Sequence, residues 1–296
     1  MARARTRQRC YLCGAGSPAE LPGRVRDNAR LKVLECRKCG LVFLSSFSHI
    51  NSGFYEESGM HGGLPDVARW LAETERDDER RFRFCAPLLK GRAVLDFGCG
   101  NAGFLLKAKK TAASALGLEP EKALAAHYKK LGLRVEREIS GLREKFDLVT
   151  LFHVLEHIPE PAETLKSLKP LLRSDGRVLV EVPNSADALL RLYKSEPFSR
   201  FTYWSCHLYL FNAATLRKVA RKAGYSVAYV KHVQRYPLSN HLYWLACGRP
   251  GGHEKWAFLD SPELNEAYAE RLAAAGATDT IMACLKPLRR TGRRTK

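Results

Sequence analysis

Between residues 90 and 235 short apolar runs alternate with amphipathic stretches. Ala93–Phe97 and Ala115–Glu119 read as the first two strands, and Leu133–Arg137 as a weaker third. Phe146–Phe152, apolar apart from Asp147 and Thr150, is a firm fourth, and Gly176–Val182 a fifth. Phe104–Lys110, Lys122–Leu131 and Pro161–Leu172 read as the helices between them. Such strand–helix alternation is the pattern of a parallel sheet covered on both faces, so the fold class expected is α/β. Asn212 predicts the N-cap of a helix running through Ala223, with Gly224 as its C-terminal cap. Ser226–Val233 and His241–Cys247 predict two further strands, and residues 261–275 one more helix.

Upstream, residues 46–64 are rich in Ser, Gly and His around Phe54-Tyr55 and predict a loop or linker. Residues 66–84 mix charges of both signs with an apolar stripe of Trp70, Leu71, Phe82 and Phe84, which predicts a helix packed on the next domain, with Pro87 near its end. The layout expected is a basic head (1–9), a cysteine-rich ribbon (10–45), linker and helix (46–85), the main domain (86–250), a helical extension (251–285) and a basic tail (286–296).

Four of the nine cysteines form that ribbon. Cys10-x2-Cys13 and Cys36-x2-Cys39 each sit at the spacing that lets two thiolates share a tetrahedral ion, and each pair is followed by a glycine, Gly14 or Gly40. A four-thiolate zinc site is expected, with rubredoxin-like iron as the alternative. Four thiolates close the coordination shell, so the role expected is structural, and the ion supplies folding energy that so short a segment lacks. Cys85, Cys99, Cys206, Cys247 and Cys284 are scattered and read as small buried hydrophobes.

The formal charge of +18 suggests a polyanion partner, but its placement weakens that reading. Arg3, Arg5, Arg7 and Arg9 lie in an acid-free head; Lys286, Arg289, Arg290, Arg293, Arg294 and Lys296 lie in an acid-free tail, leaving a body of about +8. Solvated ends are favoured over a dedicated binding arm. No apolar run reaches the roughly 18–20 residues of a membrane span, and no secretory leader is evident, so a cytoplasmic location is expected.

The chemistry concentrates after the first strand, where Asp96-Phe97-Gly98-Cys99-Gly100-Asn101-Ala102-Gly103 turns into a helix. A G-x-G-x-x-G turn alone suits many nucleotides. Asp96, two residues before its first glycine, would repel a pyrophosphate and suits a ligand carrying an ammonium or sulfonium group, such as S-adenosylmethionine. Glu119, 16 residues after Gly103, ends the second strand, where an acid accepts hydrogen bonds from a ribose diol. Phe152, at the end of the fourth strand, is placed to pack beside the adenine.

Leu95-Asp96-Phe97-Gly98-Cys99-Gly100, Leu118-Glu119-Pro120, Phe146-Asp147-Leu148-Val149, His153-Val154-Leu155-Glu156-His157-Ile158 and Gly176–Pro183 together resemble the successive motifs of class I S-adenosylmethionine-dependent methyltransferases, over roughly residues 90–235. The resemblance implies a Rossmann-like seven-stranded sheet whose last strand is antiparallel, joined here to a small N-terminal zinc ribbon. It implies that Asp96, Gly98, Cys99, Gly100 and Gly103 hold the methionine part and Glu119 the ribose, with Glu138 a candidate near the adenine. The ribbon is similar to one found in bacterial methyltransferases of sugars, polysaccharides and natural products. The sugar C-methyltransferases carry a larger C-terminal domain than the about 60 residues after the sheet here. Ribosomal RNA methyltransferases with an N-terminal zinc site are the other similar group; their metal site usually includes a histidine.

Transfer to a hydroxyl benefits from a general base, and histidine suits neutral pH. His153 is the first candidate, then His157 and His207. His207 lies in the aromatic stretch Phe201–Tyr209, a candidate acceptor wall. Asn184, Arg235, Tyr236 and Asn240 are further acceptor-side residues. The string His153-x-x-Glu156-His157 also matches an inverted zinc-protease pattern, but a strand precedes it and Pro159 and Pro161 follow, which excludes the long helix that chemistry needs. The acceptor expected is a small molecule or glycan; RNA, gripped by ribbon and basic ends, is the alternative, and a non-enzymatic interaction protein the third reading. No oligomeric state is implied.

Overall fold

The computed structural model describes residues 9–51, 53–57, 60, 63 and 66–288. Arg3, Arg5 and Arg7 of the head, and Arg289, Arg290, Arg293, Arg294 and Lys296 of the tail, lie outside the described residues. The strands are β1 (Ala19–Glu20), β2 (Val33–Glu35), β3 (Val42–Leu44), β4 (Ala93–Phe97), β5 (Ser114–Leu118), β6 (Val135–Glu136), β7 (Phe146–Phe152), β8 (Leu172–Pro183), β9 (Tyr209–Leu210), β10 (Tyr225–Val233) and β11 (Thr280–Pro287).

Seven of them form one sheet in the order β10-β11-β8-β7-β4-β5-β6. β4 to β8 pair in parallel, and β11 lies antiparallel between β8 and β10. The chain passes from β4 outward to β5 and β6, then returns to the other side of β4 as β7 and β8. That reversal opens a crevice at the carboxyl ends of β4 and β7, where ligands of such sheets bind.

Successive residues of each strand serve opposite faces. Val94, Leu148, Leu179 and Met282 pack with Phe104 and with Cys85 and Leu89 of the helix Val67–Leu89. Leu95, Val149, Val180 and Ile281 face the other way, into a core that continues through Tyr209 and Phe211 to Val25, Leu41 and Phe43 of the ribbon. The ribbon sheet is closed by β9, with Val42 opposite Leu210 and Phe43 opposite Tyr209. The ribbon is therefore seated on the main domain through shared strands and a shared core.

Three expectations need correction. His241–Cys247 is not a strand but the greater part of a helix, Leu238–Cys247. Its buried residues include Ser239, Asn240, Tyr243 and Trp244, a helical spacing, and Gly248 ends it at φ +62°. The strand that completes the sheet is β11, in a region expected to be extension and tail. Ile281 to Leu285 are all buried between two neighbours, so the segment shows no polar alternation to announce it. Cys247 is exposed, unlike the other scattered cysteines. The helix before β4 begins at the Asp66 cap, whose Oδ1 accepts from the Arg69 N–H at 3.1 Å, and it carries Pro87 in its last turn. No helix among the described residues is long and apolar enough to cross a membrane.

Candidate active site

The carboxyl ends of β4, β5 and β7 open into a cavity of about 680 Å³, lined among others by Asp96, Gly98, Cys99, Gly100, Glu119 and Phe152. The glycine turn is held from three sides. The N–H groups of Gly98 and Cys99 donate to the Leu118 carbonyl at 2.7 and 3.1 Å, so the turn is tied to the end of β5. Gly98 has φ +73°, and a Cβ there would stand 2.5 Å from Val154 Cγ2, so no other residue fits. Asn101 Oδ1 accepts from the Gly103 N–H at 3.0 Å, and Asn101 Nδ2 donates to Thr74 Oγ1 at 2.9 Å. Thr74 donates in turn to Asp78, whose carboxylate packs where a Gly103 side chain would go. The helix Val67–Leu89 thereby supports the turn, a role its charge pattern alone did not reveal.

Asp96 is buried at the cavity floor, where its Oδ1 accepts from Thr150 Oγ1 at 2.7 Å. Burial pushes its carboxyl up to about 7, against the Thr150 hydrogen bond. A cationic ligand beside it would restore the charged form. Glu119 Oε2 accepts from the Gly100 N–H at 3.0 Å and Oε1 from the Glu121 N–H at 3.2 Å, which aims the carboxylate across the mouth of the turn. Burial raises its carboxyl as well. Two carboxylates beside the turn, Asp96 buried and Glu119 half-buried, match the polarity of an ammonium at one end and a ribose diol at the other. Glu138 and Ile139 follow β6 on the far side of Glu119 and line the cavity there.

Phe152 lines the same cavity, but on β7, two strands from Glu119 and on the side of Asp96. Phe104 meets its ring edge-on at 4.9 Å and the Arg81 guanidinium covers it at 5.0 Å. Its ring is thus already packed on the side away from Glu119, which does not suit the adenine contact expected of it.

The three candidate histidines prove to be of two kinds. His153 follows β7 at φ +55°, a strained backbone for a non-glycine residue, and its N–H donates to the Glu181 carbonyl at 2.8 Å. Its Nδ1 lies 3.2 Å from Glu156 Oε1 and its Nε2 3.2 Å from Glu181 Oε1. Burial works against charge on this ring, but the two carboxylates outweigh it and hold its pKa above the ordinary value. The raised pKa and the two flanking carboxylates make His153 a poorer base than the sequence suggests. Glu181, fully buried, also receives Arg80 and Arg81 at 2.9 Å each, and they hold its carboxyl well below the usual range despite its burial. Arg235 joins this network through Asp77 and approaches His153 Nε2 at 3.4 Å.

His157 and His207 shift the opposite way. Burial lowers the pKa of both, that of His207 to about 4 with His157 adding to the effect. His157 Nδ1–H donates to the Cys206 carbonyl at 2.8 Å, and His207 Nδ1–H to the Thr202 carbonyl at 2.9 Å. Their rings lie 5.1 Å apart, with Trp204 edge-on to both. Tyr55, from the expected linker, donates to the His157 carbonyl at 2.9 Å and walls the same region. Of the further acceptor-side residues, Arg235 lines the cavity, whereas Asn184 donates to the carbonyls of Gly276 and Thr278 and braces the approach to β11.

The four ribbon cysteines converge as expected. Sγ of Cys10 and Cys39 are 3.4 Å apart, those of Cys13 and Cys36 3.5 Å, and all four lie within 4.8 Å of one another. The edge of a zinc–thiolate tetrahedron with bonds of ~2.3 Å is ~3.8 Å, so the donor set fits the ion in both chemistry and span.

Residues 70–230 match the family described as a methyltransferase domain. The chain is similar to curated ubiquinone biosynthesis O-methyltransferases. One from Aeromonas salmonicida is 26% identical over 169 residues, covering 52% of this chain and 71% of the relative. One from Paraburkholderia phytofirmans is 28% identical over 185 residues, covering 54% and 80%. Among solved structures, a possible histamine N-methyltransferase from Thermotoga maritima shares the fold, with a TM-score of 0.50 and 18% identity over 79% of this chain and 98% of that one.

Proposed function

The chain belongs to the methyltransferase-domain family and is an S-adenosylmethionine-dependent methyltransferase, and we propose that it delivers the methyl group to a hydroxyl oxygen of a small-molecule acceptor. The observation that carries the reading is the pairing of Asp96 and Glu119 across the Gly98–Gly100 turn, at the floor of a cavity with room beside the turn for a second ligand. Bound there, the cofactor supplies an electrophilic methyl on a positively charged sulfur. Asp96 faces the amino-acid end, Glu119 the ribose, and Glu138 and Ile139 the adenine. Phe152, packed under Arg81, walls the methionine end instead.

The acceptor side is formed by Tyr55, Trp204, His157 and His207, with Glu156 behind them. Aromatic faces stack on flat rings and on sugars alike. The oxygen selectivity is supported by the relatives, named O-methyltransferases; a sugar hydroxyl is one member of the class and a phenolic hydroxyl another. Positioning the oxygen in line with the methyl supplies most of the acceleration. The ribbon, with a structural zinc in its four thiolates, holds the acceptor wall from outside.

Labelled methyl transfer tested against phenolic, glycan, nucleotide-sugar and RNA pools checks this reading. Label is expected on a small hydroxylated compound. Label on RNA alone, or on nitrogen or carbon, would overturn it.

A further inference from the structure

Glu156 has no place in the cofactor-binding arrangement, yet it is the most deeply set carboxylate at the acceptor side. It is fully buried, and neither carboxylate oxygen accepts a hydrogen bond. Its nearest cationic group is His153, with Nδ1 3.2 Å from Oε1. A buried carboxylate left without hydrogen bonds is costly unless a cation meets it.

Two imidazoles stand beside it. The Nδ1–H groups of His157 and His207 are spent on backbone carbonyls, at 2.8 and 2.9 Å. Those bonds fix the tautomer, so each ring presents an Nε2 lone pair; the same carbonyl-to-ring support orients metal-binding histidines generally. One ligand atom from each of Glu156, His157 and His207 lies within 4.8 Å of the others. A shell of nitrogen and oxygen ligands at ~2.1 Å needs only a modest contraction of that triangle.

We infer that Glu156, His157 and His207 form a binding site for a divalent transition-metal ion, distinct from the four-cysteine ribbon, on the acceptor side of the cavity. Two imidazoles and one carboxylate suit zinc, cobalt, manganese or ferrous iron better than calcium. His157 and His207 both line the cavity, so a three-residue set leaves open positions facing it. This rests on the methyltransferase reading for its consequence. An acceptor hydroxyl fills an open position, its proton passes to solvent water, and the electron pair stays on the ion-bound oxygen. That pair forms the new O–C bond while the C–S pair returns to sulfur. The histidines then act as ligands rather than as bases, and His153 is a positioning residue that braces Glu156.

The test uses the full chain with one equivalent of zinc in the ribbon, dialysed against Co²⁺. One further ion is expected, with the weak visible bands of nitrogen- and oxygen-bound cobalt and no added thiolate charge transfer. Glu156→Gln and His207→Ala should bind it at least about tenfold more weakly while keeping the ribbon zinc. His207→Gln replaces His207→Ala if melting shows the latter unfolded. Absence of a second ion, a purely thiolate cobalt spectrum, or folded variants that bind Co²⁺ like the parent would overturn the site. Calorimetric titration of S-adenosylmethionine into the same samples separates the two readings. Cobalt bound without the cofactor contradicts the methyltransferase assignment alone, and cofactor bound without cobalt contradicts the metal site alone.

Discussion

The Asp27 carboxylate accepts both from the backbone N–H of Ser205, at 3.0 Å, and from its hydroxyl, at 2.6 Å. Asp27 belongs to the ribbon, and Ser205 stands two positions before His207. Beside this pair the Arg26 guanidinium lies over the Trp204 ring at 4.5 Å. The His49 Nε2–H donates to the Ser205 carbonyl at 2.8 Å. The segment proposed as the acceptor wall is thus held in place by residues of the ribbon and the linker after it.

Asp27→Ala should loosen that wall without touching the cofactor site. Losing two partly buried hydrogen bonds costs about 1–2 kcal/mol, which corresponds to roughly 5–30-fold faster exchange of the Ser205 amide. Hydrogen exchange followed by mass spectrometry should show the effect confined to residues 203–208, with cofactor affinity unchanged within twofold. Uniform protection, or a change centred on Gly98–Gly103, would contradict the coupling.

Removing the ribbon ion should have a wider effect, because β3 pairs with β9 and shares its core. A chelator strong enough to strip a four-thiolate site should release one zinc per chain and lower the melting temperature. It should also expose Val42–Leu44 and Tyr209–Leu210 to exchange together. Cys36→Ser should reproduce this without chelator. Full retention of the Tyr209–Leu210 protection in the stripped protein would show that the ribbon is a mere appendage.

Cofactor affinity should depend on pH through Asp96. Its folded carboxyl titrates near 7 because of burial, against an ordinary value near 3.8. Only the ionised form attracts a cationic amino-acid end. Affinity should therefore fall by about tenfold per pH unit below 7 and level off toward pH 7.5. Asp96→Asn should bind more weakly at pH 7.5 and show no slope. A parent slope that persists in the Asn variant would place the titrating group elsewhere.

A second buried carboxyl, Asp187, offers a test on stability alone. Burial together with the neighbouring Asp279 raises it to about 8, although it caps the Leu189 N–H at 2.6 Å. A group raised on folding gives its full stabilisation below its unfolded value near 4 and loses it progressively as pH rises to the folded value. Asp187→Asn, neutral throughout and able to keep the cap, should match the parent at pH 4.5 and exceed it at pH 9 by about 1–3 kcal/mol. Denaturant melts at the two pH values check the sign. A variant less stable at pH 9 would contradict it.

Much of the candidate site was legible in the sequence because its residues are local. Asp96, Gly98 and Gly100 sit within five residues, and the end of each apolar run places its following acid at the sheet's carboxyl edge. The cysteine spacing was equally plain. What stayed hidden depended on pairing across long separations. Arg80, Arg81 and Glu181 meet at about 100 residues' distance in the chain, and their network raises the pKa of His153, which makes it a poorer base. β11 was missed because a strand enclosed on both sides has no alternation, and Leu238–Cys247 because its aromatic residues favour strands while its burial follows a helix. Glu156 stands in the sequence only as part of a protease-like pattern, since its lack of hydrogen-bond partners exists only in three dimensions.

The most direct test of the account is calorimetric titration of S-adenosylmethionine into the zinc-loaded chain and into Glu119→Ala. The parent should bind one equivalent, with a dissociation constant between about 1 µM and 1 mM. Loss of the Glu119 carboxylate should weaken it by at least about tenfold. Glu136→Ala, on the exposed edge strand, should bind like the parent. No binding to the parent, or equal binding by Glu119→Ala, would contradict the assignment of this cavity as the cofactor site.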